Sequence, residues 1–183
     1  MSTSRARYVW VAAILLLAAA AVVVLHNPAD SEADPADLQG QLQAHMRTTL
    51  ERSDPGQHNH AGHQVQPTAG EPAVICGVRV YGYEPFQVTT LAEVKTVYGF
   101  HLCGVAEPQR PWDVAVKLAG PVILDMATDP PGIQVVEATA DVMYVDRLQQ
   151  MFPPKYAQVA QKEALSDSEM ADLRRRYDDA AGL

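Results

Sequence analysis

Three histidines fall within six residues in the stretch Gln57-His58-Asn59-His60-Ala61-Gly62-His63. Imidazoles this close in sequence can converge on one Zn2+, Cu2+ or Ni2+. His58, His60 and His63 are therefore the candidate metal ligands, and Zn or Cu the candidate cofactor. Against this, the stretch offers no fixed carboxylate to orient the rings. Ordering it would cost about 1 kcal/mol or more per residue. A polar linker with incidental histidines is the competing reading.

Other chemistry is thinner. No serine occurs between Pro72 and Leu165, so a serine nucleophile held in a folded domain is not expected. His101 and Cys103 stand two apart, which on a helix points them to opposite sides; only on a strand would they share a face. Asp113, Asp125, Asp129, Glu137, Asp141 and Asp146 could pair for acid–base work, but most fall at expected strand ends and turns, where solvated Asp is common. No glycine-rich phosphate loop, Walker motif or dinucleotide fingerprint is present. No catalytic residue and no organic cofactor are expected.

The elements that would hold any site begin with an apolar run. Tyr8 to Leu25 is eighteen residues without a charge, preceded by Arg5 and Arg7 and followed by Asp30, Glu32, Asp34 and Asp37. At about 1.5 Å per residue it just spans a bilayer core of about 30 Å. Basic residues stay on the cytoplasmic side. The expected layout is a cytoplasmic stub over 1–7, a transmembrane helix over 8–25 and the remainder outside the cell membrane. A cleaved signal peptide shares the basic start and Ala-rich end. Its apolar region is usually about 7–15 residues, and here the small-residue site Ala18-Ala19-Ala20 lies inside the run. Cleavage would leave the same chain secreted.

All 22 acidic residues lie beyond residue 25, with 12 of the 14 Lys and Arg, a balance of −10. Nucleic acid as a partner is excluded on that ground, because it needs clustered positive charge. The two cysteines, Cys76 and Cys103, both fall in the exterior part and are expected to form a disulfide in an oxidising compartment.

Lys, Asn, Ile and Phe are scarce, whereas Ala, Val, Asp and Arg are abundant. In this bias and in its overall plan the chain resembles the uncharacterised single-pass, membrane-anchored exterior proteins of actinobacteria. The likeness is one of style across the chain and implies no functional residues.

Residues 26–70 read as a tether with one ordered piece. Asp34 can cap, Pro35 suits a first helical position, and Leu38, Leu42, Met46 and Leu50 recur every four residues. An amphipathic helix over 35–52 follows, which either packs back on the domain or pairs with a partner helix. The domain itself is expected over 71–183. A strand is expected over Ala73 to Tyr83. The capping box Thr90-Leu91-Ala92-Glu93 and helical spacing at Leu91, Val94, Tyr98, Leu102 and Val105 predict a helix to about Ala106. On that reading the disulfide pins strand to helix. Further strands are expected over 112–119, 122–126 and 133–137, then helices over 141–151 and from Ser166-Asp167-Ser168-Glu169 to about Ala180. The resulting fold class is α+β, a mostly antiparallel sheet of about four strands with helices on one face.

Function is read from this layout alone: a membrane-anchored extracytoplasmic module of the bacterial envelope that binds a protein or glycan partner. The alternatives are a metal-binding protein using the histidine stretch, and a carboxylate-based envelope enzyme. Calorimetry with Zn2+ and Cu2+ checks the first alternative. A site in this stretch gives binding that disappears when His58, His60 and His63 are replaced together by Ala; binding that survives removes them as ligands.

Overall fold

The computed structural model describes residues 35–53 and 72–183. The expected stub, the expected span over 8–25 and the ligands His58, His60 and His63 lie outside the described residues. Among those described, no helix is long and apolar enough to cross a membrane.

The fold is α+β, built on a four-stranded antiparallel sheet in the order β1-β2-β3-β4. The strands are β1 (Ala73–Glu84), β2 (Thr96–Ala106), β3 (Lys117–Asp125) and β4 (Gly132–Val135). Helix α1 (Pro35–Arg52) precedes them, and α2 (Tyr144–Met151), α3 (Pro154–Ala160) and α4 (Asp167–Ala181) follow. Short 3-10 turns sit at Leu91–Glu93 and Trp112–Val114.

The expected helix over Leu91 to Ala106 is instead a single turn followed by β2. Thr90 and Glu93 do meet, through their side chains at 2.6 Å, but Thr90 makes no side-chain cap bond to the backbone. The helical spacing misleads because β2 is covered on both faces. A strand buried on both sides loses its apolar–polar alternation. Gly104 marks that close packing: a Cβ there would lie 2.6 Å from the Trp112 ring. The number of strands nevertheless matches, because the two strands expected over 112–119 and 122–126 are one, β3, with Trp112 in the turn before it.

Helices cover both faces of the sheet, not one. On the first face Leu38, Leu42, Met46 and Leu50 of α1 are all 0–2 % exposed and pack on Cys76, Val78, Val80, Val97, Cys103, Val122 and Leu124. Helix α1 therefore belongs to the folded domain. On the opposite face Tyr98 stacks on Tyr156 at 5.1 Å and meets Phe152 edge-on at 5.3 Å. Beside them Trp112 meets Tyr177 of α4 edge-on at 5.1 Å, and Leu173 completes that cluster. Tyr144, at the start of α2, stays 38 % exposed.

Helix α4 starts as its sequence dictates, with both halves of the Ser166/Glu169 capping box formed, and ends on Gly182 in the left-handed region. It lies close to β1 because residue 77 is glycine; a Cβ there would be 2.6 Å from Leu165 and 3.1 Å from Leu173.

Cys76 and Cys103 are joined, and they are direct cross-strand neighbours with Cα atoms 4.0 Å apart. The bond thus links two strands rather than a strand and a helix. Their separation of 27 residues corresponds to about 3–4 kcal/mol of loop-closure stabilisation. A Cys76→Ala, Cys103→Ala double variant is expected to lose that amount in urea unfolding; a loss under about 1 kcal/mol would mean the strand pairing already supplies the constraint.

Candidate functional site

Strand β1 is an edge of the sheet, so half of its backbone groups face away from β2. Helix α1 overhangs that edge. One residue after each buried apolar position stands a polar one, in the repeat Leu38-Gln39, Leu42-Gln43, Met46-Arg47, Leu50-Glu51. Four helical residues rise about 6 Å and two strand residues about 6.6–6.8 Å. This stripe can therefore step along β1 nearly in register. Gln39 Nε2 donates to the Val80 carbonyl at 3.0 Å and Gln43 Nε2 to the Val78 carbonyl at 3.1 Å. At the far end the Cys76 N–H donates to Glu51 Oε1 at 2.9 Å.

Continuing that step would assign Arg47 to the Cys76 carbonyl, but that acceptor is taken from the other side. Arg176 of α4 donates to it, and also pairs with Glu51 at 2.8 Å and with Asp172 at 3.0 Å. Arg47 is left without a hydrogen-bond or ion-pair partner among the described residues. It lines a cleft of about 230 Å3 whose other walls are Gln43 of α1, Gly77 and Val78 of β1, and Ser168, Glu169, Asp172 and Arg176 of α4.

The remaining charges of the cleft are already paired. Glu169 accepts from Arg79 Nη2 at 2.6 Å and Nε at 3.0 Å, and from the Ser166 N–H at 2.7 Å. Burial alone would raise the Glu169 carboxyl, but these donors outweigh it and hold it below its usual range. Hydrogen bonds from Arg176 and Arg175 likewise hold Asp172 low. The Arg79 guanidinium is raised in turn, chiefly by its bond to Glu169. Arg47 is thus the one charge lining the cleft with no ion-pair partner among the described residues.

Two wider hollows lack this convergence. One, of about 400 Å3, is lined by Glu84, Pro85, Phe86, Lys95 and Thr96. The other, of about 350 Å3, lies between α2 and α3.

The structure places His101 and Cys103 on one face of β2, as a strand requires. The Cys103 sulfur is bound to Cys76, so it is no thiol, and the His101 ring is buried with Nδ1 2.9 Å from the Gly120 carbonyl. Of the six candidate carboxylates, none lines the cleft. Asp113, Asp129, Asp141 and Asp146 are exposed, and Asp125 accepts from the Ala127 N–H at 2.9 Å within a turn. Among the described residues no group of three or more His, Cys, Asp or Glu is placed to hold a metal ion.

The cleft residues were not singled out by sequence reasoning, although a signal existed. The polar half of the four-residue repeat in α1 was as regular as the apolar half. Three of its members bond β1 directly, but the cleft forms only where α4 reaches over from the opposite face, and nothing local encodes that.

No protein-family model matches the chain, and no curated protein or solved structure matches it either.

Because Glu169 and Asp172 bind protons less tightly folded than unfolded, their pairs add stability above the ordinary carboxylate range and lose it as pH falls through their lowered values. Urea midpoints are expected to hold from pH 7 to about 5 and to decline below about pH 4. A Glu169→Gln, Asp172→Asn variant is expected to be less stable at pH 7 and to show a shallower decline. An unchanged decline would place the acid sensitivity elsewhere.

Proposed function

We propose that the protein is a membrane-anchored exterior binding module of the bacterial envelope, and that it engages a protein or glycan partner through the cleft between α1 and α4. Three features support this reading. The apolar run over 8–25, with arginines before it and acidic residues after it, suits a single span with the N-terminus inside. A Cys76–Cys103 disulfide suits an oxidising exterior. The cleft gathers side chains from three elements around Arg47, which has no ion-pair partner among the described residues.

That cation is the observation that carries the reading. The Ser168 hydroxyl lies 3.1 Å from the Ser166 hydroxyl, and both lining carboxylates are held by arginines. The Ser166 hydroxyl does donate to Glu169 at 2.8 Å, but that carboxylate caps α4 and is held low by Arg79. That makes it a poor base, so the cleft is suited to holding a group rather than transforming it.

The test is in-cell photo-crosslinking from a probe at Ser168, which is exposed at the cleft mouth, followed by detergent solubilisation. One reproducible adduct is expected. Its yield should fall several-fold in an Arg47→Gln background, and likewise when the probe is moved to exposed Arg174 on α4, outside the cleft lining. Absence of a reproducible adduct, or equal yields from both probe positions, would remove the cleft as the binding face.

A further inference from the structure

We propose that the cleft takes the free carboxylate at the end of an extended peptide, with Arg47 as its cation; this rests on reading the cleft as the binding face. The first ground is charge. Glu169 and Asp172 are ion-paired to Arg79 and Arg176, which also pair with Glu163 and Glu51, and Arg47 is the one lining guanidinium with no ion-pair partner among the described residues. A single negative charge gives Arg47 the partner it lacks. A doubly charged phosphate would bring a second charge against Glu169 and Asp172 with nothing to offset it.

The second ground is geometry at the floor. In an antiparallel edge strand the N–H and C=O of one residue point the same way. The Cys76, Val78 and Val80 carbonyls all face α1 or α4, because Arg176, Gln43 and Gln39 bond them. The Val78 N–H is therefore directed outward beside its carbonyl, into the cleft that Val78 and Arg47 share. A guanidinium fork and a backbone N–H together suit the two oxygens of one carboxylate.

The third ground is what those same bonds prevent. A strand adding along β1 needs a run of free carbonyls, and three successive outward ones are occupied. Only a chain end can reach the Val78 N–H without needing those carbonyls. The size agrees: about 230 Å3 is below the roughly 300–1,000 Å3 of sites that enclose a drug-sized ligand. It is room for a terminal residue rather than for an oligosaccharide.

The experiment uses the full 15N-labelled chain in detergent micelles and two probes, N-acetyl-Ala-Ala-Ala with a free carboxylate and the same peptide as its C-terminal amide. The acid should move the amide resonances of Gln43, Gly77, Val78 and Ser168 and bind about 10-fold or more tightly than the amide. Arg47→Gln should abolish that difference, whereas Arg47→Lys should retain part of it by keeping the charge without the fork. Each variant is accepted only where resonances away from the cleft are unmoved. Equal binding of acid and amide at the cleft would overturn the carboxylate inference and leave the binding face standing. If neither peptide moves the cleft resonances the inference also fails, and the crosslinking at Ser168 separately decides whether the face does.

Discussion

An edge strand must bond its outward backbone groups or leave them open to another chain, and in this protein that requirement organises both helical layers. Among the described residues strand β1 has no neighbouring strand on one side, and side chains stand in for one. Helix α1 approaches from one face of the sheet and α4 from the other, and both reach the same residue: Glu51 accepts from the Cys76 N–H while Arg176 donates to its carbonyl. The bond between Arg176 and Glu51 closes the two helices over the edge. A residue that is also half of the disulfide is thus where both layers and the sheet converge. Capping of this kind protects against strand addition.

The same arrangement explains how a cleft with an unmatched charge arises in a well-bonded structure. The α1 stripe offers four polar side chains, while α4 contributes a fifth from across the edge. The carbonyl that the stripe's step would assign to Arg47 is bonded by Arg176, which Asp172 and Glu51 hold in place. The free guanidinium follows from how the two layers meet and is not a property of α1 alone.

Legibility in the sequence tracks how local each determinant is. The stripe of Leu38, Leu42, Met46 and Leu50 and the Ser166–Glu169 capping box are short-range patterns, and both elements lie where those patterns put them. The α+β class and the cysteine pairing were also readable. Strand β2 was not, because burial on both faces removes the alternation that distinguishes strand from helix, and Leu91, Val94, Tyr98, Leu102 and Val105 then mimic a helical stripe. Cover on both faces was missed for a related reason: α1 reads as part of a tether until a sheet face is there to receive it. The cleft was the least legible, since Arg47 and Arg176 are 129 positions apart and meet only through the edge between them.

The disulfide lies beneath α1, with Cys76 fully enclosed and Cys103 only 2 % exposed. Thiol–disulfide exchange needs a thiolate to approach one of the sulfurs, and the docked helix bars that approach. The lifetime of the bond against a reductant is therefore governed by how often α1 lifts from the sheet, a local opening, rather than by the bond's own chemistry. The same barrier works in reverse during maturation. An oxidant reaches the two thiols only before α1 settles or while it is lifted, so the helix gates the forming of the bond as well as its breaking.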